Sequence, residues 1–117
     1  MDCQMIVCMG IDFEDEALRA LCELGIAVNR KYTKYRDNKL FMDKLSTQLS
    51  RIRDASSFDE LARISPLHYE RLRHEFSGYT SFRIGNMFVE RVICKENKEG
   101  IKLILLTLDD THYGNKK

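Results

Sequence analysis

The chain has 117 residues and a formal net charge of +1, and 44% of its residues are hydrophobic. This length fits a single domain spanning residues 1–117, and the hydrophobic share excludes an intrinsically disordered chain. No apolar run approaches the roughly 20 residues of a membrane-spanning helix, and acidic Asp2 stands where a secretory signal needs cations. We therefore expect a cytoplasmic protein that does not bind a membrane.

The near-zero net charge hides an uneven distribution along the chain. Residues 1–30 contain six acidic and two basic side chains, whereas the stretch from Arg30 to Arg53 contains eight basic and two acidic ones. The second stretch also contains Tyr32 and Tyr35, and basic residues interspersed with aromatic ones are typical of a surface that binds RNA. A solvated helix face that contacts nothing is the alternative interpretation of the same residues.

The four cysteines do not form a C-x-x-C pair, which argues against a zinc site. Three of them lie in apolar segments, where we expect small core side chains: Cys8, Cys22 and Cys94.

The first part of the chain predicts one strand followed by helices. Residues 4–9 (QMIVCM) form a short apolar run that predicts a first strand. Residues 14–24 predict a helix with acidic residues in its first turn, and Gly25 predicts its end. Residues 38–54 predict a longer helix, since apolar residues recur at helical spacing at Phe41, Leu45, Leu49 and Ile52.

A third, shorter helix is predicted between Phe58 and Ile64. Ser57 is a favourable N-cap, and Glu60 stands three residues later, where a capping box places its acidic residue. Pro66 then predicts the end of the helical part of the chain.

After Pro66 the pattern changes to strands. We predict strands over His68–Arg73, Tyr79–Ile84, Met87–Lys95 and Ile101–Leu108, with turns at Ser77-Gly78, Gly85-Asn86 and Asn97–Gly100. The last strand is almost continuously apolar, which predicts a central strand buried on both faces. The expected fold is α+β, with the N-terminal strand and the helices packed on one face of a largely antiparallel twisted sheet.

Polar side chains from several of these strands can converge on the sheet face opposite the helices. The candidates are Glu70, Arg73, His74, Arg83, Arg91, His112 and Tyr113. A carboxylate, several arginines and a histidine fit RNA cleavage by the RNA's own 2′-hydroxyl, which needs a general base, a general acid and cations around the phosphate. Glu70 can serve as the base and His112 as the acid, and this chemistry requires neither a metal nor a cofactor.

Ordinary structural roles remain open for the same residues. Glu70 can instead pair with Arg71 or Arg73 at an exposed edge, and His74 can be a surface residue. Arg83 can hold the fold together rather than take part in chemistry.

The segment LRHEFSGYTSFRI, residues 72–84, resembles the L-K-H-x-L-S-G-x-x-S-x-R-I segment of bacterial toxins of the RelE and YoeB type. The order that follows also resembles these toxins: a hairpin, a strand with Arg91, a turn, an apolar strand and then His112-Tyr113. The resemblance covers residues 58–113, and the HigB branch shares its S-x-R-I strand and late histidine. It implies a small α+β ribonuclease that enters the ribosomal A site, cuts mRNA there, and is neutralised by a cognate antitoxin.

The resemblance also implies a role for each matching position. Glu70 matches the general base, His112 the general acid, and Tyr113 the tyrosine that orients the substrate. Arg91 matches the arginine that stabilises the transition-state phosphate. Arg73 matches a residue that contacts RNA or the ribosome, and Arg83 one that makes a phosphate or structural contact. His74 is a further candidate for substrate binding, and Lys116 and Lys117 can add RNA contacts beyond the end of the family pattern.

The chain departs from that pattern in several places. The spacing from Ile84 to Arg91 is two residues longer than in the YoeB pattern, which can displace Arg91. Glu75 is acidic where a neutral residue is usual, and the segment Ile26–Tyr35 resembles an insertion between helices.

Two other functions therefore stay open at this stage. The first is a ParE-like inhibitor of DNA gyrase, which binds on the same scaffold without catalysis. The second is a degenerate toxin fold that acts only as an interaction module.

Overall fold

The computed structural model describes residues 9–110 and shows a five-stranded sheet with the helices on one face. In spatial order the strands are β1 (Gly10–Phe13), β5 (Lys102–Asp109), β4 (Arg91–Asn97), β3 (Thr80–Arg83) and β2 (Glu70–Arg71). β1 pairs with β5 in parallel, and the other neighbours are antiparallel. The predicted α+β class and the largely antiparallel sheet are confirmed.

Helical segments occupy most of the chain between β1 and β2. They are α1 (Glu16–Arg19), continued by a π-helical turn over Ala20–Leu24; α2 (Thr33–Arg36), preceded by a 3₁₀ turn over Arg30–Tyr32; α3 (Lys39–Asp54); and α4 (Phe58–Arg63). Short 3₁₀ turns follow at Ser65–Leu67 and His74–Phe76. No helix within residues 9–110 has the length and apolar character needed to cross a membrane.

The long helix α3 forms where its apolar spacing predicts it. Its four predicted core residues, Phe41, Leu45, Leu49 and Ile52, are all buried against the sheet and its neighbours. At its start, the Asn38 side chain accepts a hydrogen bond of 3.1 Å from the backbone N–H of Phe41. This cap satisfies one of the N–H groups that have no partner inside a helix.

The N-cap of α4 also agrees with the sequence. Ser57 accepts from the backbone N–H of Glu60, but the Glu60 carboxylate reaches back to the N–H of Ser56 rather than to that of Ser57. The predicted capping box is thus present with its acidic half shifted by one residue.

Three strand predictions need correction. The first strand lies at Gly10–Phe13; Met9 is not part of it, and the remainder of the predicted run, residues 4–8, lies outside the described residues. Only Glu70–Arg71 of the predicted strand His68–Arg73 is extended and paired. β4 begins at Arg91 rather than at Met87, so the loop before it is longer than a tight hairpin.

The last strand is central but is not buried on both faces. Leu103, Leu105 and Leu108 are buried, whereas Ile104 and Leu106 remain partly exposed. One face of β5 therefore packs on the helices, and the other is only partly covered.

The segment that resembles an insertion, Ile26–Tyr35, contributes to the core. Its Tyr32 and Tyr35 are 0% and 7% exposed. Tyr35 packs on Phe41 with ring centroids 4.6 Å apart, which fixes the 3₁₀ turn and α2 against α3.

Candidate functional site

The register of the sheet assembles a row of charged side chains on the face away from the helices. Arg83 of β3 faces Arg91 of β4. On its other side, Arg91 faces Asp109 of β5. Because the neighbours Phe82 and Val92 are buried against the helices, pleating turns both arginines to the opposite face. Directly facing residues place their Cβ atoms about 5 Å apart, so the two arginines are side by side.

Arg91 is held by two contacts that the sequence did not predict. Its Nε donates to Oδ2 of Asp109 at 3.1 Å, in an ion pair whose side chains are 12% and 15% exposed. Its guanidinium carbon lies 5.9 Å from the centroid of the Phe76 ring, within the range of a cation–π contact. These contacts fix the Arg91 head group on the sheet face instead of leaving it mobile in solvent.

Glu70 lies on the same face as the two arginines. It faces Ser81 in the register of β2 and β3, and Ser81 is two residues before Arg83 on one face of β3. From the strand spacing, the Cα atoms of Glu70 and Arg91 are about 12 Å apart. Both side chains are long enough to lean toward each other, so one phosphodiester group can contact both.

The alternative pairing of Glu70 with Arg71 is excluded by the alternation of the strand. Arg71 points to the helix face, where its Nη2 donates to Glu96 at 3.0 Å. Glu96 also accepts from the Tyr69 hydroxyl at 2.6 Å. Within residues 9–110 Glu70 makes no ion pair, and its side chain is exposed.

The other two predicted contact residues begin the turn that covers this face. Arg73 is the N-cap of the 3₁₀ turn His74–Phe76, and both Arg73 and His74 are exposed. His74 adopts a left-handed backbone conformation with φ of 62°, which reverses the chain after β2. Since Phe76 of this turn contacts Arg91, Arg73 and His74 lie at the rim of the arginine pair.

Arg83 is half-buried, and its side chain has a structural role. Its Nη2 donates to the backbone carbonyl of Phe88 at 3.1 Å, which ties the loop before β4 to the end of β3. Its own carbonyl accepts from the Gln48 side chain at 2.6 Å. The register of β3 and β4 places Arg91 directly opposite Arg83.

Four predicted site residues lie outside the described residues: His112, Tyr113, Lys116 and Lys117. The last described residue is Asp110, next to the Asp109 partner of Arg91.

The basic stretch around Arg30 and α2 borders a cleft of about 620 Å³ at the end of β5. Its basic side chains include Lys31 and Lys34, and Lys34 Nζ lies 3.9 Å from Asp110. The expectation that tyrosines are displayed in this band is wrong. Both rings are buried, and burial together with nearby carboxylates raises the pKa of each hydroxyl above its usual value.

The two free cysteines among the described residues are poorly suited to act as nucleophiles. Cys94 is buried in β4, and Cys22 is half-buried in the π-helical turn. Burial raises the pKa of the Cys22 thiol to about 12, so the thiolate is scarce at neutral pH. Within residues 9–110 no group of three or more His, Cys, Asp or Glu side chains is arranged to hold a metal ion.

Solved structures share this architecture. A chain of the archaeal RelE–RelB complex from Pyrococcus horikoshii OT3 superposes with a TM-score of 0.55 at 13% identity, over 91% of this chain and 98% of that one. The chain has a RelE-like fold. This confirms the fold implied by the resemblance of residues 72–84 to toxins of the RelE and YoeB type.

Two further toxin–antitoxin complexes are similar at lower scores. A chain of the RelBE2 complex from Mycobacterium tuberculosis matches with a TM-score of 0.45 and 19% identity, over 89% of this chain and 99% of that one. A chain of the YoeB–YefM complex from Staphylococcus aureus matches with a TM-score of 0.47 and 16% identity, over 86% of this chain and 94% of that one. No protein-family model and no curated protein matches the chain.

Proposed function

We propose that this chain is the toxin of a bacterial type II toxin–antitoxin system and acts in the cytoplasm as a ribosome-dependent mRNA interferase. The observation that carries the proposal is the pairing of Arg83 with Arg91 on the sheet face that also bears Glu70. Two arginines at facing positions of neighbouring strands, with a carboxylate on the same sheet face, suit a phosphodiester and its 2′-hydroxyl better than they suit a neutral substrate. The RelE-like fold supports the same class of protein.

In the proposed reaction Glu70 accepts the proton of the 2′-hydroxyl, and the 2′-oxygen attacks the adjacent phosphorus. The bond from phosphorus to the 5′-oxygen breaks, and a general acid protonates that oxygen. The products are a 2′,3′-cyclic phosphate and a 5′-hydroxyl end, and no metal or cofactor takes part. Arg91 and Arg83 stabilise the charge that grows on the phosphate oxygens.

His112 is the proposed general acid and Tyr113 the residue that orients the substrate. Two peptide units separate His112 from Asp110, a reach of at most about 7 Å, and Asp110 adjoins the partner of Arg91. Chain connectivity is therefore compatible with an acid that acts on the same phosphate as Arg91. Lys116 and Lys117 follow closely enough to contact neighbouring phosphates.

The Arg91–Asp109 ion pair gives Arg91 its orientation in this proposal. Asp109 accepts from Nε, which anchors the guanidinium of Arg91 on the sheet face. A guanidinium held in this way loses less side-chain entropy when it binds a phosphate.

The proposed partners are mRNA in the ribosomal A site, the ribosome and a cognate antitoxin. The ribosome would position the mRNA, since an exposed site with few contacts offers little orientation of its own. Arg73, His74 and the basic residues along α2 are the proposed RNA contacts. The antitoxin would neutralise the protein by covering this charged sheet face.

The test is controlled expression of the wild type beside Glu70→Gln, Arg91→Ala and His112→Gln, with primer extension on a reporter mRNA. We expect growth arrest and codon-phased cuts from the wild type, and loss of both in each variant. Arg63→Ala is the matched control, because Arg63 is an exposed arginine at the end of α4, away from the sheet face. It should keep both activities.

Three outcomes contradict the proposal. Full toxicity in all three variants would show that none of the three replaced residues is needed for catalysis. Arrest with intact mRNA and a DNA-damage response would identify a gyrase inhibitor instead, and absence of arrest would leave an interaction module.

A further inference from the structure

A second polar cleft, of about 280 Å³, opens beside the residues that follow β3, Ile84 to Asn86. It lies between α3, the 3₁₀ turn after α4, and the chain that leaves β3. Its polar side chains are Lys44 and Arg51 from α3, with Ser65, His68 and Asn86 from the two loops. We call it the α3 cleft.

The α3 cleft is built around one buried amide. Gln48 is 2% exposed, and its Nε2 donates to the backbone carbonyls of Pro66 at 2.9 Å and Arg83 at 2.6 Å. Its Oε1 accepts from Arg51 Nη1 at 2.8 Å. One side chain therefore joins the three walls and orients the Arg51 guanidinium, so the cleft exists before any ligand binds.

Lys44 is exposed and borders the same cleft. It lies beside the turn at Gly85, where an added Cβ atom would be 3.9 Å from Lys44 Cδ. Lys44 makes no ion pair within residues 9–110, and the hydrogen-bond partner of Arg51 there is neutral Gln48. Two positive charges thus reach one small cleft without a carboxylate to balance them.

This charge balance distinguishes the α3 cleft from the larger cleft near α2. Among the described residues that line the α3 cleft there is no Asp or Glu, whereas Asp37 and Asp110 line the larger one. A lysine, an arginine and the neutral donors of Ser65 and Asn86 form a set suited to the oxygens of a phosphate. An uncompensated pair of cations favours an anion over a neutral or cationic ligand.

We propose that the α3 cleft binds a backbone phosphate of the RNA strand, next to the phosphate that is cut. This inference rests on the proposed function and extends it to a second contact. β3 connects the two places, because Arg83 presents its side chain to the sheet face while its carbonyl is bound by Gln48 beneath the cleft. A strand that crosses the end of β3 can therefore contact Arg83 and the α3 cleft at successive phosphates, which fixes its register.

The first experiment uses the full chain and inorganic phosphate as the probe, followed by NMR. Saturable shifts are expected at the Gly85 amide, the Asn86 side chain and the His68 ring. Lys44→Ala should weaken this binding several-fold. Lys39→Ala is the control, because Lys39 is an exposed lysine on the same helix that pairs with Asp43 outside the cleft.

The second experiment measures binding of a short fluorescent single-stranded RNA by anisotropy, without ribosomes, over a range of salt concentrations. Lys44→Ala should lower the affinity about 3- to 10-fold and reduce the slope of log K against log salt by about 0.7, the value for one lost phosphate contact on a single strand. Lys39→Ala should change neither quantity. Unchanged circular dichroism of Lys44→Ala would show that the fold is retained.

The outcomes separate this inference from the proposed function. Phosphate shifts in the cleft with RNA binding unchanged in Lys44→Ala would overturn the RNA assignment, and absence of shifts would overturn the site itself. If RNA binding depends on Lys44 while expression produces no mRNA cuts, the site stands and the proposed cleavage fails. If expression produces mRNA cuts but Lys44→Ala changes neither phosphate binding nor RNA binding, the proposed cleavage stands and the α3 cleft takes no part in it.

Discussion

Replacing Gln48 with leucine tests how the arginine-bearing end of β3 is held. Gln48→Leu keeps a side chain of similar volume but removes three hydrogen bonds, to Pro66, Arg83 and Arg51. Because Gln48 is buried, water cannot easily replace the two bonds that its amide nitrogen donates. Arg51 is only half-buried, so its lost acceptor can be replaced by solvent.

The expected cost follows from these contacts. Each hydrogen bond contributes about 1 kcal/mol net, and a buried carbonyl left without a donor costs about 1–3 kcal/mol. Leucine recovers part of this through its apolar surface, so the net loss should be about 2–4 kcal/mol. That is a large share of the 5–15 kcal/mol typical of a domain.

Urea unfolding of the full chain, followed by circular dichroism, measures the loss. With an m-value of about 2 kcal/mol per molar urea, the midpoint of Gln48→Leu should fall by about 1–2 M while m stays the same. Ser46→Leu is the control, because Ser46 is an exposed residue on the same helix. A midpoint that falls no further in Gln48→Leu than in Ser46→Leu would refute the role assigned to the buried amide.

Three more predictions follow from single contacts. Asp109→Asn should cost about 1–3 kcal/mol in urea unfolding and tighten RNA binding at low salt, because it removes the negative charge beside Arg91 while the amide oxygen of the replacement can still accept from Nε and orient it; unchanged binding would contradict this. Ser57→Ala should lower the melting temperature by about 3–6 °C through loss of the α4 cap, whereas Ser46→Ala should not. Burial and the bond to Glu96 raise the pKa of Tyr69, so the folded state keeps a proton that the unfolded state loses above pH ~10. Stability must then fall as the pH rises past 10, and Tyr69→Phe should make that fall shallower by up to about 1.4 kcal/mol per pH unit in urea unfolding from pH 9 to 11.

Three of the helices, α1, α3 and α4, could be predicted from the sequence because their determinants are local, whereas α2 lies largely in the segment that resembles an insertion. The spacing of Phe41 and Ile52 within α3 and the caps at Asn38 and Ser57 act within one or two turns. The beginning and end of the short strand β2 could not be predicted from local sequence. Its two residues are extended because β3 lies beside them, which is a contact between distant parts of the chain.

The burial of Tyr32 and Tyr35 was not visible in the charge pattern. Their neighbours Lys31 and Lys34 are basic, so the sequence pattern predicts an exposed segment. In the structure the lysines cover the buried rings, with each ammonium nitrogen 5.1 Å from a ring centroid. An alternation of cations and aromatics in sequence is thus equally compatible with stacking on RNA and with a capped core.

The pairing of Arg91 with Asp109 depends on an irregularity that no local pattern reveals. The register between β4 and β5 shifts between Ile93 and Cys94, so that Cys94 faces Leu105 but Ile93 faces Thr107. Without the shift, a regular ladder would place Leu108 opposite Arg91. The extra residue in β5 moves Asp109 into that position instead.

The same shift changes which side chains of β5 face the helices. Before the irregularity the buried residues of β5 are Leu103 and Leu105, and after it the buried residue is Leu108. Inward positions are therefore odd-numbered in the first part of the strand and even-numbered in the second. The change of parity turns Asp109 to the face that carries Arg91. The run reads as continuously apolar because Ile104 and Leu106, which are only partly exposed, are apolar as well.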